Sequence, residues 1–335
     1  MIKRILIVGL GSIGKRHLRL AREFLPQAEI GVLRHKVDLT IPEGADHVFS
    51  TMVAALSFKP NLAVVANPAI MHLSTAMQLA EAGIHLLIEK PLSVTSEGVT
   101  DLIETCKKTN AVLAIGYNLR FLQSLKKFKT MLDDQVIGSV WSVRCEVGQY
   151  LPSWRPNSDY RQGVSAQDAL GGGVLLELSH EIDYLCWIFG KMDWVQAVLT
   201  QQSDLEINVE DIAHLVIGFE ANGLEKALVA SVNLDFIRRD TTRQCTAIGK
   251  LGSLRWNGIA GTVELWSIEI QAWQEIFRHQ AAPDEAYAAE WKSLIACIEQ
   301  GSQPLITGAD GLEVLRVIDA SRLSAKAKRQ VEIGK

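Results

Sequence analysis

The chain has 335 residues, 48% hydrophobic and 21% charged, with a formal net charge of −4. That length accommodates two domains of ordinary size, the composition is that of a soluble globular protein, and so weak an acidic balance supplies no basic field for nucleic acid. The cationic stretch Lys326, Lys328, Arg329 reads as a solvated helix face.

The first predicted element is a strand, Ile5–Val8, which meets Gly9, Gly11 and Gly14 before a helical pattern opens at Lys15 and runs to about Leu25. The apolar stretch from Ile5 is interrupted by glycines and then charges, so it reads as a strand and not as a signal peptide. A second strand is expected over Ile30–Leu33, a short third over His47–Ser50, then a helix around Met52–Phe58 and a strand over Leu62–Ala66 ending at Asn67-Pro68. A helix over Ala69–Ala82 closed by Gly83 follows. Next come a strand at His85–Ile88, a helix from Thr95 to Thr109 and a strand at Val112–Gly116. Strands apolar on both faces belong to a parallel sheet covered by helices, so residues 1–117 read as a doubly wound α/β domain.

After Gly116 the pattern changes. A helix near Leu122–Leu132 leads to alternating strands such as Val140–Gly148, Ala213–Phe219, Ala227–Asn233 and Gln244–Gly249, with turns at Asn222-Gly223, Asn257-Gly258 and Gly261. One apolar helix, Val174–Phe189, interrupts the strands, and helices at Ala286–Gln300 and Ala309–Ala327 finish the chain. Residues 118–335 therefore read as an α+β domain built on a mostly antiparallel open sheet. No apolar run approaches the ~20 residues of a membrane span. Five single cysteines (Cys106, Cys145, Cys186, Cys245, Cys297) without a C-x-x-C argue against a disulfide framework or a metal site, and for reduced thiols in the cytoplasm.

Strand, turn and helix with G-x-G-x-x-G at the junction is the fingerprint of dinucleotide binding. The turn places Gly9, Gly11, Ser12, Ile13 and Gly14 against a pyrophosphate, with the free N–H groups of the new helix pointing at it. NAD enzymes carry an acidic residue at the end of the second strand, where this chain has Arg34-His35-Lys36 and no carboxylate before Asp38. A guanidinium there grips a 2′-phosphate, which favours NADP. In the alternative, Arg34 and Lys36 are ordinary surface cations and NAD binds.

Three further segments are Ile88-Glu89-Lys90-Pro91, Gly116-Tyr117-Asn118-Leu119-Arg120-Phe121, and Gly171 to Asp183 with its triple glycine, His180 and Asp183. Together with the N-terminal glycines they resemble the Gfo/Idh/MocA family of nicotinamide-dependent oxidoreductases over residues 3 to 327. The likeness is greatest to members in pathways of cell-surface or nucleotide-linked sugars, which carry a stretch like Trp154-Arg155-Pro156…Asp159-Tyr160-Arg161 before the triple glycine.

The resemblance implies Lys90 and His180 as the catalytic pair. The chemistry agrees: oxidising a carbinol removes a proton from oxygen, a task for a group with pKa near neutrality, and an ammonium stabilises the alkoxide. Glu177, three positions before His180 where many members have Asp four before, still shares a helix face with it and is expected to orient the imidazole. The resemblance further implies that Asn67, Pro68 and His72 contact the nicotinamide half, although His72 equally suits packing on its own helix. Glu89 would orient Lys90 or the ribose. Asn118 joins the cofactor set, and Tyr117, Arg120, Asp183, Trp154, Arg155, Tyr160 and Arg161 the substrate set. Stacking rings beside forked donors suit a sugar with an anionic group, and Arg238 and Arg243 are further candidates for that anion.

The expectation is a sugar, sugar phosphate or nucleotide-sugar dehydrogenase, a homodimer or homotetramer through the second sheet. A glycosidase using transient oxidation by bound NAD and a non-catalytic nicotinamide sensor are the alternatives.

Overall fold

The computed structural model describes residues 2–34, 40–220 and 227–334. The chain forms two units, Met1–Tyr117 with Tyr287–Leu315, and Asn118–Ala286 with Arg316–Lys335. The units divide after Tyr117, after Ala286 and after Leu315. The first unit also takes in a later segment that sequence reading leaves in the second.

The first unit contains β1 (Arg4–Val8), α1 (Ser12–Phe24), β2 (Glu29–Leu33), β3 (His47–Phe49), α2 (Met52–Ser57), β4 (Leu62–Val65), α3 (His72–Glu81), β5 (His85–Glu89), α4 (Val99–Thr109) and β6 (Leu113–Gly116). Its strands form one parallel sheet in the order β3-β2-β1-β4-β5-β6. The order reverses between β1 and β4, so their carboxyl ends open a crevice at the switch point where open α/β sheets bind ligands. Ile5, Ile7, Leu62 and Val64 are fully buried in the core, and Trp291 and Leu294 of the late helix α8 (Glu285–Gln300) complete it. The same segment reaches the sheet edge, where the Ile115 N–H donates to Ile306 O at 3.1 Å.

Three helix starts differ from expectation: α1 opens at Ser12, three residues before Lys15. Residues 69–71 form a 3₁₀ turn before α3 begins at His72. Helix α4 begins at Val99 and not at Thr95, because Gly98 before it stands at φ +74°, outside the helical region.

The second unit contains α5 (Gln123–Asp133), β7 (Val140–Gly148), α6 (Val174–Glu177), α7 (His180–Phe189), β8 (Met192–Thr200), β9 (Ile212–Phe219), β10 (Val229–Asp235), β11 (Thr242–Gly249), β12 (Gly252–Asn257), β13 (Thr262–Ser267) and β14 (Trp273–Arg278). The end of α9 (Gly308–Ala327) and β15 (Val331–Glu332) complete it. The sheet runs β14-β13-β12-β11-β7-β10-β9-β8-β15 and is antiparallel except where β10 lies parallel to β7. Alternate residues such as Val143, Cys145, Leu215, Ile217, Val232 and Trp256 are buried, as a sheet with one covered face requires. Helices α5 and α7 supply cover: the Trp256 indole N–H donates to Ser124 Oγ at 3.0 Å, and Tyr184 OH lies 2.9 Å from Cys145 Sγ. The turn after β12 is built as expected, with Asn257 Oδ1 accepting from the Ile259 and Ala260 N–H groups; Asn222-Gly223 lies outside the described residues.

The apolar stretch 174–189 is not one helix. It breaks at Leu178-Ser179, so Glu177 ends α6 and His180 opens α7.

Candidate active site

In the first unit the crevice between β1 and β4 is shaped by glycine. Gly9 stands at φ +88°, and a Cβ there would lie 2.8 Å from Ala66 O and from the Asn67 backbone. A Cβ on Gly14 would lie 2.1 Å from Gly9 O, so β1, β4 and α1 meet at a distance that excludes side chains at both positions. Gly11 differs: its φ is −69° and a Cβ would meet nothing within 4 Å. The protein itself makes no steric demand for glycine at that position; open space at the head of α1 is what a phosphate needs. No side chain caps α1 and its first turn carries no acid. Ser12 is exposed there, and Ile13 turns inward against the core.

The turn after β4 faces the same crevice. Asn67 Nδ2 donates to Thr75 Oγ1 at 3.1 Å, which fixes the amide, and leaves Oδ1 buried without a hydrogen-bond partner among the described residues. A shielded acceptor of that kind calls for a donor from a ligand. Pro68 follows, half-buried. These features fit a dinucleotide.

Arg34 ends the second strand; its N–H donates to Phe49 O at 3.1 Å and its Nη2 to Thr40 O at 2.6 Å. His35, Lys36 and Asp38 lie outside the described residues.

Lys90 follows β5 at the carboxyl edge of the sheet, half-buried, in a cis peptide with Pro91. Glu89 beside it is buried; its Oε2 accepts the Lys90 N–H at 3.2 Å, and its Oε1 lies 2.7 Å from His17 Nε2. His72 braces the same turn from the other side: Nδ1 lies 2.8 Å from Pro91 O and Nε2 2.8 Å from Asn67 O. Burial pulls its pKa below the ordinary imidazole range, against the opposing effect of those two carbonyls. His72 is thus a clamp between the Asn67 and Pro91 turns.

In the second unit His180 is the first residue of α7, half-buried, with Nδ1 shielded from solvent. The helical break removes the premise that Glu177 shares a face with it. Gly173, at φ +109°, sits where a Cβ would come within 2.5 Å of Glu210 Oε1, and the same oxygen accepts the Leu175 N–H at 3.1 Å. This explains one glycine of the triple as a seat for a carboxylate that holds the head of α6.

The remaining candidates fall into two groups. Arg120 and Asp183 are buried against each other in a forked pair, Nε to Oδ2 at 3.0 Å and Nη2 to Oδ1 at 2.7 Å. That fork joins the two side chains by charge-assisted hydrogen bonds inside the second unit. Arg243 Nε holds Glu181 Oε1 at 2.8 Å, Arg238 is engaged by Glu146 and Asp240, and Arg161 by Asp159 and Glu206. Trp154 stacks edge-on to Phe236, Tyr160 OH accepts the Glu206 N–H, and Arg155 is exposed. Tyr117 is fully buried in the first unit; Asn118 is buried in the second.

Sequence inspection passed over His17, Trp291, Glu181, Glu210 and Glu290. A signal existed for His17: with Gly14, Leu18 and Ala21 it falls at i, i+3, i+4 and i+7 on the buried face of α1, so its imidazole had to find partners inside.

Two family descriptions match the chain: "Oxidoreductase family, NAD-binding Rossmann fold" over residues 3–117, and "Oxidoreductase family, C-terminal alpha/beta domain" over residues 129–333. The chain belongs to the Gfo/Idh/MocA oxidoreductase family. Within that family it is 24% identical to a myo-inositol 2-dehydrogenase of Thermotoga maritima, over 98% of this chain and 98% of that protein. It is 27% identical to an inositol 2-dehydrogenase of Rhizobium meliloti, over 81% and 80%. Among solved structures, the WlbA dehydrogenase of Bordetella pertussis in complex with NADH and UDP-GlcNAcA shares its fold with a TM-score of 0.81 at 20% identity, covering both chains completely. A levoglucosan dehydrogenase in complex with NADH and levoglucosan does so at 0.86 and 20%, over 99% of this chain and 100% of that one. The protein is a nicotinamide-dependent oxidoreductase. No helix among the described residues is long and apolar enough to cross a membrane, and no cluster of His, Cys, Asp or Glu among them could hold a metal.

Proposed function

We propose that this oxidoreductase interconverts a CH–OH group and a ketone on a sugar, sugar phosphate or nucleotide sugar, in the making of cell-surface carbohydrate. The observation that carries the reading is the pairing, in one unit, of a glycine cradle open at Gly11 with a lysine turn braced at Glu89 and Pro91. Bound nicotinamide would accept or supply the hydride. Lys90 presents an ammonium to the substrate oxygen and stabilises its negative charge as hydride leaves carbon. His180 takes the hydroxyl proton, or returns it in the reverse direction. Asn67 Oδ1 would accept from a donor on the cofactor's nicotinamide half.

An inositol in the name of one relative and UDP-GlcNAcA bound in another support a polyhydroxylated ring. Trp154 and Tyr160 supply ring faces for it. Exposed Arg155 is the better anion contact, since Arg161, Arg238 and Arg243 already hold carboxylates. Arg34 favours NADP over NAD. Val198, Val216 and Val229, all exposed on the uncovered face of the second sheet, support self-association there. Five free cysteines, with burial pushing Cys106 up to about 11, support a reducing compartment, the cytoplasm.

The test follows reduced-nicotinamide absorbance with cyclitols, anhydrosugars, sugar phosphates and nucleotide sugars. At least one class should turn over, and Lys90→Met and His180→Asn should each cost roughly 10²- to 10⁴-fold in rate while still binding NADH. Substrate-dependent turnover that survives in both variants, or none in the wild type with cofactor bound, would overturn the reading.

A further inference from the structure

Behind the Lys90 turn lies a chain of hydrogen bonds that no motif announces. His17 is fully buried on α1. The Trp291 indole N–H donates to its Nδ1 at 3.0 Å. An indole N–H can only donate, so Nδ1 is the acceptor nitrogen and carries no proton. The ring is thereby set as the tautomer with hydrogen on Nε2, and that hydrogen is given to Glu89 Oε1 at 2.7 Å. Glu89 Oε2 accepts the Lys90 backbone N–H at 3.2 Å. Both carboxylate oxygens therefore face donors, and each member of the chain has its geometry set by the next.

We propose that His17 is a positioning residue for Lys90, a tautomerically pinned imidazole that ties the phosphate-binding helix α1 to the lysine turn through Glu89. The proposal rests on Lys90 being the catalytic amine. Its physical basis is that a buried, fully satisfied polar chain is stiff. A bare carboxylate beside the lysine would be free to rotate; one held at both oxygens is not. The chain draws its members from α1, the end of β5 and α8, so the head of α1, where the cofactor phosphates would sit, and the backbone that carries the Lys90 side chain share one frame.

The test reads Lys90 directly and needs no substrate. Folded protein is trace-labelled with acetic anhydride, with and without NADH, and acetylation at Lys90 is measured by mass spectrometry. Imidazole ¹⁵N NMR reports the His17 tautomer. In the wild type, NADH should protect Lys90 and His17 should show a protonated Nε2 and a bare Nδ1. His17→Phe, which keeps a ring but no hydrogen bonds, should lose that protection severalfold. His17→Gln, whose amide offers one donor and one acceptor, should restore it. Trp291→Phe should release the tautomer and move Lys90 labelling in the same direction as His17→Phe. If His17→Phe does not fold, the Trp291→Phe comparison and the NMR decide the matter.

A core histidine of purely structural role would lower stability and leave the labelling of folded protein untouched. Wild-type protection in folded His17→Phe or Trp291→Phe overturns the proposal, as does a proton on Nδ1 in the wild type. Turnover of Lys90→Met tests the underlying reading separately, because Lys90 labelling is measurable whether or not the amine acts on substrate.

Discussion

Glu290 on α8 is 3% exposed, and neither of its carboxyl oxygens has a hydrogen-bond partner among the described residues. Burial, helped by the nearby Glu89 charge, drives its pKa well above the ordinary carboxylate value of 4.5. The sign of the pH dependence follows. Below about pH 4.5 the group is protonated in both folded and unfolded chains. As pH rises further the unfolded chain releases this proton and the folded one keeps it, so the native state loses stability until the raised folded pKa is reached. Glu290→Gln does not titrate. Its stability relative to wild type should therefore climb with pH above 4.5, by up to ~1.4 kcal/mol per pH unit, and then level off. Urea unfolding at a series of pH values measures this; a difference that stays flat from pH 4.5 to 8 would place the carboxyl in contact with water or a cation. Sequence shows which residues have usable chemistry, and so it offers Lys90 and His180 as candidates. It does not show which polar groups will be buried together. His17 and Trp291 lie 274 positions apart, and no local pattern on α1 foretells the indole that sets its tautomer. Arg120 and Asp183 were legible as a forked donor and a carboxylate, but not as partners of each other.

The elements carrying the dinucleotide motif were the most legible, because each glycine answers a local demand. Those demands differ and can be separated. Gly14→Ala puts a Cβ 2.1 Å from Gly9 O, a backbone atom that cannot swing aside, so the variant should lose about 1–3 kcal/mol or more of stability. Gly11→Ala puts its Cβ into open space and should stay within about 1 kcal/mol of wild type, yet bind dinucleotide much more weakly. Denaturation and NADH fluorescence titration on both variants decide it; equal cofactor affinity in Gly11→Ala would show that the cradle is not where phosphate lies. The parallel strands were readable because burial on both faces leaves continuous apolar runs. The break at Leu178-Ser179 was not, because apolar periodicity continues across it. Glu210, seated over Gly173, holds the head of α6 at Leu175 from 35 positions downstream. Strand β12 alternates cleanly between buried and half-buried residues, whereas β13 and β14 are short and mostly half-buried or exposed, so their alternation is faint.

At the scale of the whole chain, the polypeptide leaves the first unit at Tyr117, returns at Tyr287 and leaves again after Leu315. That return was invisible in the sequence, since α8 and α9 read as two ordinary late helices; what ties α8 to the first unit is Trp291 and Leu294 entering a core begun by Ile2 and Ile5. A chain threaded this way raises the question of whether the units melt separately, and cofactor binding answers it. A ligand held only by the folded state at 100 times its Kd adds ~2.7 kcal/mol. Set against the unfolding entropy of a domain of roughly 150 residues, that raises Tm by about 5–10 °C; set against all 335 residues, by about 4 °C. Scanning calorimetry with saturating cofactor should show one transition shifted by the smaller amount if the shared helices bind the units into one cooperative structure, and a first transition shifted by the larger amount if they do not. The same scan weighs Arg34, whose guanidinium is anchored to Thr40 O at the end of β2. NADPH should outdo NADH at equal concentration, and Arg34→Ala should erase the difference by reducing the NADPH shift alone, because a 2′-phosphate gains a charge-assisted pair there and a 2′-hydroxyl does not. A larger shift with NADH in the wild type would mean that this arginine serves only its contact with Thr40.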